Sequence, residues 1–307
     1  QYGEAWYVNP KDGRRYYLKD GTAAYQIMRS QGLGIKDTDL NKLPKISRDD
    51  LIRVHNVDYV NRLFGIEQDL NKEMMNCYET NHEISNPQEM FEIILKQTAM
   101  TYLATKNSLS TGFSFFLGGG MHHAMSFGGR GFCLINDIVI SLRKLQIEKL
   151  IKSAWVIDVD AHKGDGTAEL TIKDSSIVTL SVHMQKGWPL DSGTGDEPWN
   201  IASNLDVEIA EGQEENYLNK LSMALLDLEK KYELPDVVIV VDGADPYEFD
   251  ELESTNKIKL TKEQLLARDR MIYDFFKKRN VPQSYLMVGG YGKRSLEIYS
   301  QFLKFVR

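Results

Sequence analysis

Five short apolar runs punctuate this chain, and each breaks into polar or glycine-rich residues: Phe113 to Leu117, Ala154 to Ile157, Ile177 to Val182, Val237 to Val241 and Tyr285 to Val288. Rich in β-branched and aromatic side chains and too short for buried helices, they read as strands buried on both faces. Segments with helical character lie between them, over 87–107, from about 137 to 151, 212–232 and 261–279, and a helix closes the chain. Strands alternating with helices predict an α/β fold with a mostly parallel central sheet and helices on both faces. In such sheets a ligand sits beyond the carboxyl ends of the strands. His122/His123, Asp158/Asp160/His162, Ser181/His183, Asp245 and Tyr291 are all read as following a strand.

The central run continues as Asp158-Val159-Asp160-Ala161-His162-Lys163-Gly164-Asp165-Gly166. Side chains alternate along an extended segment, so Asp158, Asp160 and His162 share one side. Two carboxylates and an imidazole there repel unless a cation joins them, and hard oxygen with borderline nitrogen suits Zn²⁺. The competing reading is a polar strand end at the surface. Asp245 supplies a third ligand to Asp160 and His162 and leaves a position open, as in a catalytic zinc site. Tandem histidines after three glycines, His122 and His123, suit proton transfer to and from a water and a leaving amine. Asp158 and Asp165 are within reach as their orienting partners. Tyr291, on a Gly-Gly-Tyr-Gly turn, suits donation to a developing oxyanion. Phe132 and Trp188 are candidates to wall an apolar slot, against the plainer reading of core packing.

Elsewhere the chain is less specific. The first forty residues are hard to read, with a short helix expected over 22–30. Ser47 reads as the N-cap of a helix running through Leu51 to Val57, with His55 structural. Polar residues 65–87 read as a surface excursion. With 307 residues and 42% hydrophobic composition, a single domain of 1–307 is the economical expectation. A net charge of −7 argues against general affinity for nucleic acid or anionic membrane. Cys77 and Cys133 form no CxxC, which fits a reducing, cytoplasmic setting. The chain begins at Gln1, which leaves a removed leader open.

The strings GGGMHHA, GFCLIND, IDVDAHKGDG, SVH, GTGD, GADPY and GGYG stand in this order. In that the chain resembles the zinc-dependent histone deacetylases and their bacterial relatives, acetylpolyamine amidohydrolases among them, from about Leu51 to the C-terminus. Residues 1–46 match weakly. The resemblance implies the three-layer arginase-deacetylase fold and removal of an acyl group from lysine side chains or related amines. It implies zinc on Asp160, His162 and Asp245, and general acid–base pairs His122–Asp158 and His123–Asp165. Tyr291 would hold the substrate carbonyl. Gly131, Phe132, Trp188 and Gly290 would contact substrate. A structural K⁺ or Na⁺ would fall on Asp158, Asp160, His162, Ser181 and Val182.

Two departures stand out. Lys163 replaces the second histidine of the usual DxHHGDG string and is expected to point away from the site. Glu251 to Thr255 replaces a Leu-Gly-Gly type turn, so an unusual rim is expected. The short spacers look closest to the small bacterial, class IV-like branch. The alternatives are an acetylpolyamine amidohydrolase, a two-manganese ureohydrolase and an acyl-lysine-binding pseudoenzyme. Gly164 stands where the ureohydrolase needs a further carboxylate. The pseudoenzyme has no use for the complete proton relay this chain retains.

Overall fold

The computed structural model describes residues 6–8, 15–17, 42–191 and 197–306. The chain divides into two units, residues 1–44 and 45–307. In the first, strands β1 (Trp6–Val8) and β2 (Arg15–Tyr17) pair antiparallel, Trp6 opposite Tyr17. The helix expected over 22–30 and the turn at 193–196 lie outside the described residues.

The second unit opens with helix α1 (Arg48–Ile52), held by a capping box. Ser47 Oγ accepts the Asp50 N–H at 3.2 Å, and the Asp50 carboxylate accepts the Ser47 N–H at 2.9 Å. The helix does not run on to Val57 as expected; the chain turns and restarts as α2 (Val57–Leu63). His55, in the turn, is structural as read: Nδ1 lies 2.8 Å from Met125 O, and Nε2 accepts the Asn136 N–H at 3.0 Å.

About half of the expected surface excursion is helix, α3 (Glu67–Cys77). It is anchored by the buried face of Leu70, Met74 and Cys77, at helical spacing. Helix α4 (Pro87–Thr111) starts on a proline, favoured at a first turn, and ends at Gly112 in the left-handed region, φ +79°.

The remaining elements follow in order: β3 (Phe113–Phe116), α5 (Asp137–Ile147), β4 (Ala154–Asp158), α6 (Asp165–Thr171), β5 (Ile177–Met184), β6 (Leu205–Ile209), α7 (Tyr217–Lys231), β7 (Val237–Asp242), α8 (Lys262–Lys277), β8 (Gln283–Met287) and α9 (Ser295–Val306). Thr261 and Gln264 form the expected capping box of α8. The sheet runs β3-β8-β7-β4-β5-β6, and every pairing is parallel. Strand β6 is an addition to the five read from sequence. Strand β5 continues to Met184, so Ser181 and His183 lie within it and not beyond its end.

Alternation on the strands feeds two cores. Trp155, Ile157, Val238, Val240 and Tyr285 pack with Leu221, Leu225, Ile272, Phe276 and Phe302 from α7, α8 and α9. Val156, Val237, Ile239, Val241 and Leu286 face Tyr102 of α4 and Ile138, Leu142 and Leu145 of α5. Each such large apolar side chain contributes roughly 1.5–3 kcal/mol on burial. The result is the three-layer α/β arrangement, with β7 and β4 adjacent at its centre and their carboxyl ends opening on one crevice. Among the described residues, no helix is long and apolar enough to cross a membrane.

Candidate active site

The ladder between β4 and β7 ends with Asp158 opposite Val241, and both chains then turn into the crevice. Asp160 and His162 follow β4, and Asp245 follows β7. One ligand atom from each lies within 4.8 Å of the others, all buried. His162 Nδ1 stands 3.1 Å from Asp160 Oδ1 and 3.2 Å from Asp245 Oδ2. The Ala161 N–H holds Asp245 Oδ1 at 3.1 Å, whereas Oδ2 is buried without a hydrogen bond. A side chain at Gly289 would overlap the carboxylates of Asp160 and Asp245, so only glycine lets the backbone approach them.

Burial opposes charge on His162, but the carboxylates of Asp160 and Asp245 prevail and lift it to about 10. Asp245 is pushed up by burial and by the Asp160 charge. Asp160 is drawn down, against burial, by the charges of His122 and His162 and by the His162 hydrogen bond. Converging acidic oxygens around one imidazole nitrogen, with a buried oxygen left over, fit a divalent cation of borderline character.

Three glycines return the chain from β3 to the same crevice. Asp137 pins this turn by accepting the N–H groups of Gly120 and Met121 at 3.0 and 2.6 Å. His122 Nδ1 lies 2.6 Å from Asp158 Oδ2, and His123 Nδ1 lies 2.6 Å from Asp165 Oδ1. His122, His123 and Asp160 also come within 4.8 Å of one another. Burial works against the charge on His122, but Asp158 and Asp160 raise it to about 9. Burial, with the neighbouring His122 charge, lowers His123 to about 4.

A cavity of about 400 Å³ leads to this group, lined by His123, Phe132, His162, Trp188, Leu252 and Tyr291. The Trp188 ring meets His123 edge-on, with centroids 4.5 Å apart. Gly131, φ +53°, also lines it; a side chain there would overlap Trp188 and His123. Phe132 is itself left-handed, φ +64°, a costly conformation for an aromatic residue, and its ring stacks on Tyr78. Tyr291 is held well above the usual phenol range by burial and by the charges of Asp160 and Asp245. Gly289 lines a second cavity that reaches Asp160 and Tyr291, whereas Gly290 lies against Ala244 and Ser295.

Ser181 pairs with Asp158 in the sheet register, and its Oγ accepts the Gly164 N–H at 3.2 Å; Val182 is buried in the same strand. Lys163 is buried and reaches away to Asp206 at 3.2 Å. His183 also turns from the crevice and bonds the Met184 carbonyl at 2.7 Å. Several contributors had no sequence signal. Ser254 Oγ meets His162 Nε2 at 3.0 Å. Arg130 approaches Asp165 at 3.3 Å while lying over the rings of Trp188 and Trp199. Arg268, fully buried, donates to the carbonyls of Val159 and Gly243 at 3.0 and 2.8 Å and pairs with Asp242 and Asp269, each at 2.7 Å. Asp242 is thereby committed away from the crevice, which leaves the ureohydrolase reading without a second carboxylate from this strand end.

Residues 19–303 match the family model described as the histone deacetylase domain. The chain belongs to the histone deacetylase family, of the arginase-deacetylase superfamily. It is 31% identical over 194 residues to an uncharacterized protein of Picosynechococcus sp., covering 63% of this chain and 61% of that one. Histone deacetylase 2 of Arabidopsis thaliana is 28% identical over 212 residues, covering 68% of this chain and 52% of that protein. Histone deacetylase HDAC1 of Drosophila melanogaster is 27% identical over 279 residues, covering 87% and 51%. The chain therefore spans about half to three fifths of the length of these relatives. A crystal structure of an HDAC homolog from Aquifex aeolicus superimposes with a TM-score of 0.66 at 24% identity, covering 84% of this chain and 69% of that one. An HDAC homolog complexed with SAHA gives the same TM-score and identity over 86% and 70%. These likenesses establish the arginase-deacetylase fold.

Proposed function

We propose that the chain is a zinc-dependent amidohydrolase that removes an acetyl or other acyl group from an amine, foremost the ε-amine of lysine in a peptide. The carrying observation is the convergence of a three-ligand group, two separate His–Asp pairs and Tyr291 on one crevice. Asp160, His162 and Asp245 would hold the zinc, which when bound makes water more acidic and polarises the amide carbonyl. Tyr291 stays protonated and donates to the carbonyl oxygen as negative charge builds there. His123, neutral and oriented by Asp165, takes the proton of the attacking water. The histidine pair then returns a proton to the departing amine. Phe132 and Trp188 flank the alkyl stem, and the Gly131 carbonyl accepts the amide N–H.

The proposal extends to a structural K⁺ or Na⁺ at Asp158, Asp160, His162, Ser181 and Val182, supported by the register of β4 and β5. It also takes 1–307 as one catalytic domain. The test is hydrolysis of acyl-lysine peptides and acetylpolyamines by metal-stripped protein, before and after Zn²⁺ is added. Zinc-restored cleavage supports the reading, and the preferred member separates peptide from polyamine. Zinc binding without cleavage of any member would favour an acyl-lysine-binding role; no zinc uptake would sink the site.

A further inference from the structure

In the zinc group proposed above, His162 would give Nδ1 to the metal beside the two carboxylates, so its hydrogen would reside on Nε2. That nitrogen lies 3.0 Å from Ser254 Oγ, a hydroxyl able to accept it. Ser254 lies in the stretch that departs from the family's usual turn, within a single 3₁₀ turn, Glu253–Thr255. The stretch is tied down from within. Asp250 Oδ1 accepts the Leu252 N–H at 2.9 Å and the Thr255 hydroxyl at 3.4 Å, and Thr255 is buried.

The same stretch holds Tyr291. Asp250 Oδ2 accepts the Tyr291 N–H at 2.7 Å, and the Glu251 N–H donates to the Tyr291 carbonyl at 3.0 Å. One carboxylate thus fixes both the turn that carries Ser254 and the backbone that carries the tyrosine. Ser254, Leu252 and Tyr291 line the same cavity.

We infer that residues 250–254 form a positioning brace, in which Ser254 locks His162 with Nδ1 bare toward the metal ligands and Asp250 sets the placement of Tyr291. This rests on the zinc reading above. Neither residue touches substrate in this scheme; each acts through another. Partners on the far nitrogen of a ligating histidine fix its tautomer and ring orientation, and their loss typically costs 10–100-fold in metal affinity.

The two halves of the brace separate by experiment on the full chain. Zinc affinity, with Zn²⁺ alone as probe, is measured by competition with a chromogenic chelator; kcat and KM are measured on an acetyl-lysine peptide, and folding by circular dichroism. Ser254→Ala is expected to weaken zinc binding by about 10–100-fold with the fold intact, and Ser254→Thr, which keeps the hydroxyl, to restore most of it. Asp250→Asn keeps one acceptor oxygen but sets its NH2 against either the Tyr291 N–H or the Leu252 N–H, so one of the two holds is lost. It is expected to lower kcat of the zinc-loaded protein by at least about ten-fold with little change in KM, while zinc affinity falls no further than in Ser254→Ala. Wild-type zinc affinity in Ser254→Ala, or a wild-type kcat in Asp250→Asn, overturns the brace while the zinc reading stands. Wild-type protein that binds no zinc overturns the zinc reading and the brace together.

Discussion

The rings of His122 and His123 lie 3.9 Å apart between centroids, yet their surroundings favour a charged form for one and a neutral form for the other. His122 sits against Asp158 with Asp160 close by and is held protonated near neutrality, while His123, buried beside that charge, is held neutral. Two adjacent imidazoles, one charged and one free to accept a proton, are what water activation and amine protonation both require. His122→Ala and His123→Ala are each expected to lower kcat by roughly 10²–10⁴-fold. Because the pair acts as a unit, the double variant should lose far less than the product of the single losses. Steady-state kinetics on an acyl-lysine peptide, with zinc content measured alongside, checks both statements.

Tyr291 combines a raised phenol pKa with a backbone gripped by Asp250 and Glu251. Its hydroxyl is removed by Tyr291→Phe with no other change in shape. Turnover should fall by at least about ten-fold while KM and thermal stability stay near wild type. Near-normal turnover would mean that the tyrosine is not the oxyanion donor.

Arg268 bridges the two strand ends that carry the proposed ligands. Its Nη1 donates to Val159 O, next to Asp160, and to Gly243 O, two residues before Asp245. It also pairs with buried Asp242 and Asp269. Arg268→Met would strand those carboxyls in the core, at a cost of about 3–5 kcal/mol in unfolding free energy. Urea denaturation measures it; a loss below about 1 kcal/mol would show that the cluster readjusts around the missing guanidinium.

The sheet and the site were legible because each buried strand announces itself as an apolar run and delivers its polar residues at once. What was not legible has identifiable causes. Strand β6 reads Leu-Asp-Val-Glu-Ile, an edge strand with alternating polarity and no continuous run. Helix α3 hides its face in polar sequence, with only Leu70, Met74 and Cys77 turned inward. Arg268 looks like any cation on an amphipathic helix until the fold buries it. Ser254 lies 92 residues from His162, and a serine in a loop carries no local mark of its partner. Ser181 and His183 were misplaced because β5 runs on past Val182.

His55 gives a pH dependence that is independent of the crevice. A carbonyl, Met125 O, faces Nδ1, so Nδ1 must carry the hydrogen; the Asn136 N–H points at Nε2, so Nε2 must be bare. A second proton would set two donors against each other in a buried site. Burial accordingly lowers the histidine from 6.5 to about 4. The unfolded chain therefore binds the proton more readily than the folded one between these values. The stability tied to neutral His55 is full above pH 6.5 and is lost as pH falls toward 4. Two to three pH units of such a difference amount to roughly 3 kcal/mol. His55→Gln keeps a donor and an acceptor without a titrating group, so it should be less stable at neutral pH but decline less steeply on acidification. Urea midpoints at several pH values across that window, for both proteins, decide it: parallel declines would assign the acid sensitivity to other groups.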